Sequence, residues 1–270
     1  MITTTYLYVP GNKLEFVKKG IEKGADKIII DLEDSIPISR KDEVRTEVCN
    51  FLKSNQNNNC FVRINSIDNI QSKDLEQLIK IGHQNIVIPK IENESYIIKS
   101  GSYEKFNNII VLVETALGMS QLIEIGNKIK ITAAGIGEVD FSSDLRILED
   151  DNILNYYRSN LVYISRILNL PKPIGGVYKN FNDNAGLKNF GNNLKNLGFG
   201  SLQLIHPNQI EVVKKIFTPT KEDIKEAENL LKTISEYENS GVGVFVGNDG
   251  SIVDAAMIRK AKEILEFNEK

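Results

Sequence analysis

The chain has 270 residues, enough for one large domain or two small ones, and carries 36 acidic against 33 basic side chains with a pI near 5.6. That balance removes any general electrostatic reason to expect nucleic acid or an anionic membrane as partner. No basic-then-apolar leader opens the sequence and no apolar run approaches the ~18 residues of a membrane span, so the expected location is the cytosol. The two cysteines, Cys49 and Cys60, have neither metal-ligand spacing nor a disulfide framework around them.

Tyr6 to Val9 reads as a short strand stopped by Pro10-Gly11, and Phe16, Val17 and Ile21 are spaced for a helix. Lys27 to Ile30 is the second strand, ending in Asp31-Leu32-Glu33-Asp34, with a helix predicted from Lys41 to Lys53. Cys60 to Asn65 is the third strand, followed by a helix around Leu75 to Ile79, and Asn85 to Lys90 is the fourth. Asn108 to Val113 is an unbroken aliphatic run leading into Glu114, the habit of a strand buried on both faces. Ile131 to Gly137 is the sixth strand and leads into Glu138-Val139-Asp140. A long helix is predicted from Ile153 to Leu168, then strands at Pro173 to Tyr178 and Ser201 to His206, with Pro207 opening the next helix. Eight strands alternating with helices predict an α/β fold, a (β/α)8 TIM barrel, over residues 1–218. No Gly-x-Gly-x-x-Gly turn and no Walker-type loop appears. Residues 219–270 break the alternation: a charged helix (Glu222 to Tyr237), a hairpin within Gly241 to Val253, and a last helix near Asp254. This helix–hairpin–helix extension is too small to fold alone and is expected to pack on the barrel or on a neighbouring subunit.

In this architecture chemistry collects at the carboxyl ends of the strands. Those ends carry Asp31, Glu33 and Asp34, then Arg63 and Asn65, Lys90, Glu114, Asp140, Tyr178 and His206. If the fifth and sixth strands are neighbours, Glu114 and Asp140 face one spot and suit a hard cation, Mg²⁺ before others; the competing reading is that each caps the helix behind it. Arg63 has the fork geometry for a substrate carboxylate, against an internal salt bridge to Asp31 or Glu33. Asp31, Glu33 and Asp34 are placed to hold metal-bound waters and orient Arg63, with helix capping the alternative for Asp34. Lys90 as a Schiff-base amine and His206 as a base are each weighed against structural roles, and Cys60 is read as core.

Several stretches together resemble one family. Tyr6-Leu7-Tyr8-Val9-Pro10-Gly11, Gly24-Ala25-Asp26 leading to Asp31-Leu32-Glu33-Asp34, Val62-Arg63-Ile64-Asn65 and Val113-Glu114-Thr115-Ala116 match its pattern. So do Gly175-Gly176-Val177-Tyr178, Leu197-Gly198-Phe199, Ile205-His206-Pro207-Asn208-Gln209, Phe217-Thr218-Pro219, Ile252-Val253-Asp254 and Arg259-Lys260-Ala261. The chain resembles the citrate lyase β-subunit-like proteins of the HpcH/HpaI aldolase superfamily over essentially its whole length. The resemblance implies a Mg²⁺-dependent carbon–carbon lyase acting on citryl, citramalyl or malyl thioesters of coenzyme A or an acyl carrier. It implies Glu114 and Asp140 as metal ligands, Arg63 as catalytic and substrate-binding residue, and Asp254 as a catalytic carboxylate reaching a neighbouring subunit's site; from their strand ends Glu33, Asp34 and Asn65 are expected around the substrate. Hence a homo-oligomer is expected, a trimer being the form suggested, acting alone or with the other subunits of a citrate lyase complex. A helix N-cap is the competing role for Asp254.

The chain departs from the family pattern at four places: Thr4 where an arginine is usual, Val139 where an acid commonly precedes the metal aspartate, Ser201 where a base commonly precedes the eighth strand, and a short loop after Asp144-Leu145-Arg146. Each change removes charge expected to meet a thioester's carrier or phosphates. A changed-ligand or non-catalytic barrel subunit and an aldolase of free oxo-acids are the alternatives.

Overall fold

A computed structural model describes residues 3–55, 59–92, 103–238, 245–246, 252–253 and 255–268. These residues divide into two compact units, one from Thr3 to Lys214 and a smaller one from Lys215 onward.

In the larger unit, β-branched runs form eight short parallel strands: β1 (Thr5–Pro10), β2 (Lys27–Asp31), β3 (Cys60–Arg63), β4 (Asn85–Ile88), β5 (Asn108–Val113), β6 (Ala133–Ile136), β7 (Ile174–Val177) and β8 (Ser201–Leu204). They close in chain order, β8 pairing back to β1, so the TIM barrel expected from the alternation is the fold. The helices are α1 (Glu15–Glu22), α2 (Lys41–Ser54), α3 (Asp68–Lys80), α4 (Ala116–Lys128), α5 (Glu138–Leu145), α6 (Asp151–Ile167), α7 (Asn184–Leu197) and α8 (Gln209–Phe217). Alternate strand residues fill the barrel: Tyr6, Ile29, Phe61, Val87, Ile110, Leu112, Ala133 and Ile174 form one buried cluster, with Tyr8 packed on it. The outward residues, Ile28, Ile30 and Val62 among them, are equally buried under the helices, which is why these strands read as unbroken apolar runs. The α1 spacing held less information: Val17 and Gly20 are the residues it buries, while Phe16 and Ile21 stay exposed. Gly20 sets that choice, since a Cβ there would lie 2.8 Å from both Ile28 and Leu7.

At the amino ends of the strands, Asp26 ties β1 to the helical layer. Its Oδ2 accepts from the Thr4 amide (2.9 Å) and the Thr4 and Thr5 hydroxyls (3.0 Å each), and Lys214 lies 2.8 Å from Oδ1. Burial works against this charge, but Lys214 and Thr4 outweigh it and hold Asp26 below the usual carboxylate range. A depressed folded pKa gives stability that is present above the unfolded value of about 3.9 and lost as pH falls through the folded one. Asp26→Asn should therefore lower stability by about 1–2 kcal/mol at pH 7 and give a flatter acid limb. Denaturant melts between pH 2 and 7 check this; equal losses at both ends would contradict it.

The smaller unit has α9 (Lys221–Glu238), a two-stranded antiparallel pair β9 (Phe245–Val246) and β10 (Ile252–Val253), and α10 (Ala255–Asn268). Ile234 is buried against Leu230, Leu231 and Ile258, so the charged α9 and α10 share an apolar seam. The hairpin turn and Asp254 lie outside the described residues.

Candidate active site

Parallel register sets the site. β2 and β3 pair with Asp31 opposite Arg63, so the two side chains meet at the rim as a fork: Nε to Oδ1 at 2.7 Å and Nη2 to Oδ2 at 2.9 Å. Nη1 turns the other way, 3.2 Å from Glu33 and 3.3 Å from Asp34. The guanidinium lies over the Tyr8 ring, 5.0 Å from its centre, and the Tyr8 hydroxyl is fixed on Gln203 at 2.8 Å. Burial opposes the Asp31 charge, but the Arg63 bonds hold its pKa below the ordinary value. Asp31 also accepts from the amides of Glu33 and Ser35, which curls the chain after β2 back over the rim. Lys41 clamps the same loop through the Leu32 carbonyl (2.8 Å). Both readings of Arg63 therefore share one geometry: an internal ion pair holds a guanidinium whose third nitrogen faces the rim carboxylates.

Lys90 follows β4 with a left-handed backbone (φ 46°) that aims its amide at Glu114 Oε2, 3.0 Å away. Its ammonium sits among carboxylates: 3.2 Å from Glu33, 3.8 Å from Asp34 and 3.9 Å from Asp140. Burial works against its charge, yet Glu33, Glu114, Asp34 and Asp140 raise its pKa overall. A Schiff-base lysine needs the neutral amine, so the structure does not support that role.

Glu114 is 2 % exposed at the end of β5, beside β6 through the Val113–Ile136 pairing. Among the described residues it has no ion pair, and burial, then Glu33, raise its pKa to about 8. Gly137 makes room for it, because a Cβ there would stand 2.6 Å from Glu114 Oε1. Glu114 does not cap the following helix; Thr115 does, accepting from the Gly118 amide. Asp140 lies in the first turn of α5 rather than on a strand end, with its side chain half-exposed. Glu138 is taken up in a buried fork with Arg158 (2.9 and 2.7 Å).

The remaining candidates separate. Asn65 is buried and gives its amide to Asp74 at 2.7 Å, fixing the loop after β3. Tyr178 donates to Asp183 (2.7 Å). His206 stacks on Phe181 with ring centres 4.5 Å apart and accepts from the Asn208 amide, a structural position. Cys60 is buried and its thiol is pushed up to about 11, as befits core. Tyr8, Gln203 and Lys41 escaped the sequence reading; the alternation of Tyr6 and Tyr8 on one strand face was the available signal for the first.

A family model described as HpcH/HpaI aldolase/citrate lyase matches residues 4–207, the entire barrel. The chain belongs to the HpcH/HpaI aldolase/citrate lyase family. It is 29% identical to citrate lyase subunit beta of Leuconostoc mesenteroides subsp. cremoris, over 97% of this chain and 92% of that one. It is 30% identical to human mitochondrial citramalyl-CoA lyase, over 95% of this chain and 82% of that one. Among solved structures, CitE of Mycobacterium tuberculosis in complex with magnesium, acetoacetate and coenzyme A superposes with a TM-score of 0.83 at 24% identity, covering 100% of this chain and 99% of that one. As a citrate lyase β-like member of the HpcH/HpaI family the chain falls with the lyases.

Two of its departures from the HpcH/HpaI pattern need correcting in meaning. Thr4 precedes β1 and is buried on Asp26, and Ser201 opens β8 with the Leu202 amide on the Thr4 carbonyl. Both lie at the amino ends of the strands, and β1 alone spans about 20 Å, so neither change removes charge from the rim. Val139, exposed beside Asp140, is a departure on the site's side.

The rim's donor set fits a hard divalent ion. Among the described residues no three His, Cys, Asp or Glu side chains form a closed cage, but Mg²⁺ takes one or two carboxylates and keeps waters or substrate oxygens. Among the described residues Glu114 has no ion pair, and Glu33 Oε2 is buried without a hydrogen bond, 3.2 Å from Arg63.

Proposed function

We propose that the protein cleaves, or in reverse forms, the carbon–carbon bond of a 3-hydroxy-acyl thioester of the citryl, citramalyl or malyl type, on coenzyme A or an acyl carrier, with Mg²⁺ held by Glu114 and Asp140. The observation that carries this reading is the buried Glu114 carboxylate, unpaired by any described cation, beside Asp140 and the Arg63–Lys90 pair at the strand-end rim. When bound, the ion supplies Lewis-acid polarisation of the substrate's hydroxyl and carboxylate oxygens. Arg63 presents Nη1 to the carbonyl oxygen of the thioester, where negative charge grows as the C–C electron pair becomes an enolate. Asp31, Glu33 and Asp34 keep the guanidinium in place, and Tyr8 supports it from below. Asn65 holds the β3 loop through Asp74. Lys90 balances the carboxylates without reacting.

The base that takes the hydroxyl proton is Asp254, contributed by the chain from 219 onward to a site in a neighbouring copy of a homo-oligomer. The support is from sequence alone. Asp254→Asn should cost about 10²-fold in turnover, whereas a cap would be largely preserved by asparagine. Mixing Asp254→Asn with Glu114→Gln protein should restore part of the activity; none after confirmed subunit exchange removes the shared base.

The test of the whole reading is a screen of malyl-, citramalyl- and citryl-thioesters with Mg²⁺, following oxo-acid release. One thioester should be cleaved, with no cleavage in chelator. Release from none of them would overturn the assignment and favour a changed-ligand subunit; cleavage of the free hydroxy-acids alone would point to an aldolase.

A further inference from the structure

Gln203 brings an amide up against the apolar cluster inside the barrel. β8 pairs with β1 so that Gln203 stands opposite Tyr6, one of the inward residues of that cluster. The residue is buried, so its two donors and its acceptor need partners. Nε2 donates to the Ile136 carbonyl at 2.9 Å and to the Gly175 carbonyl at 3.1 Å, and Oε1 accepts the Tyr8 hydroxyl at 2.8 Å. The amide fits only one way round. Two carbonyls can only accept, so the nitrogen must face them and the oxygen is left for Tyr8.

β6 and β7 share a single paired position, Gly135 with Ile174, and β7 slips in register against β8 between Gly175 and Val177. Where these ladders give out, the Gln203 amide bonds both strands. The Ile136 carbonyl belongs to the same peptide unit as the Gly137 amide, which donates to the Val113 carbonyl on β5 at 3.0 Å. That peptide is therefore held from both sides. Its orientation sets the gap at Gly137 that Glu114 occupies and the start of α5, with Asp140 in its first turn. On the other side, the Tyr8 ring that Gln203 fixes lies 5.0 Å from the Arg63 guanidinium. One side chain thus joins the support of Arg63 to that of the Glu114–Asp140 corner.

We propose that Gln203 is a positioning residue, which touches no substrate but sets the spacing between the Arg63 guanidinium and the Glu114–Asp140 corner. The inference rests on the proposed function, in which those two features act on one substrate. Reacting groups held about 1 Å out of place cost on the order of 10²-fold in rate. A glutamine that merely satisfied the core would affect stability and leave turnover per folded molecule alone.

Two variants of the full chain separate the two arms. Gln203→Met keeps the length and removes all three bonds, whereas Tyr8→Phe removes the hydroxyl alone and keeps the ring. In folded protein Gln203→Met should lower kcat on the cleaved thioester by on the order of 10²-fold with KM little changed. Tyr8→Phe should give a smaller loss of the same kind. In an Arg63→Lys background Tyr8→Phe should cost nothing further, because effects that pass through one guanidinium do not multiply. Calorimetry should show weaker Mg²⁺ binding in Gln203→Met and parent affinity in Tyr8→Phe. Parent kcat in either folded variant overturns the proposal, as does parent Mg²⁺ affinity in Gln203→Met or an undiminished Tyr8→Phe loss beside Arg63→Lys. If Gln203→Met fails to fold, Tyr8→Phe decides alone. If the parent cleaves no thioester, the functional reading has failed by itself. Exchange of the Arg63 Nε proton, followed by nuclear magnetic resonance, then reads the positioning. It should quicken by on the order of tenfold in both variants, and parent rates in both overturn the inference.

Discussion

Glu114→Gln is expected to abolish Mg²⁺ binding and lower turnover by on the order of 10³-fold or more, while leaving the fold intact. The buried carboxylate makes two kinds of contact. Oε2 accepts from the Lys90 amide, which a glutamine carbonyl also does, and the side chain fits the gap that Gly137 leaves, which an isostere fills equally well. The charge is what the substitution removes, and burial already disfavours that charge, so the metal-free variant should melt no lower than the parent. The difference should appear with the ion. A ligand at 100 times its dissociation constant stabilises the parent by about 2.7 kcal/mol, and the variant should show no such rise. Calorimetric titration and paired melts with and without Mg²⁺ read this directly. An unchanged Mg²⁺ affinity would remove Glu114 from the metal site and, with it, the observation on which the functional reading stands.

Arg63→Lys should lower turnover by 10²-fold or more although the charge is kept. An ammonium reaching Asp31 cannot also keep a second planar contact on that carboxylate, face Glu33 and Asp34, and stack on Tyr8 as the guanidinium does. The variant should also be less stable, because Asp31 and Glu33 are buried carboxylates that lose hydrogen-bonded or charged partners. The two effects are separable: turnover per folded molecule, with folding measured by melt, reports the part of Arg63 in the reaction. Near-normal turnover in folded Arg63→Lys protein would return the residue to a purely structural ion pair.

The barrel and most of its rim were legible in the chain because both follow from local order. An apolar run of four to six residues marks a strand wherever it lies, and the residue after the run is at the carboxyl end. Glu114, Arg63, Lys90 and the Asp31–Asp34 stretch were found that way. Asp140 was placed at the right corner but on the wrong kind of element, since Glu138 to Leu145 begins a helix immediately after Gly137. The positions of Thr4 and Ser201 were credited with charge that meets a thioester's carrier or phosphates, although in the chain one precedes its strand and the other opens it, so both lie at the amino ends, away from the rim.

From sequence alone came the strand order, the family, and the set of polar side chains available at the site. Tertiary structure decided which of them meet. Asp31 rather than Glu33 takes the fork of Arg63 because the β2–β3 register puts them side by side; Asn65 turns to Asp74 and Glu138 to Arg158, leaving the rim to the others. Thr115 takes the cap that Glu114 would otherwise fill. The physical reason is common to all of these. Hydrophobic period and strand ends are properties of neighbours in the chain, whereas a hydrogen bond or ion pair is chosen by distance in space between residues brought together when the eight strands close.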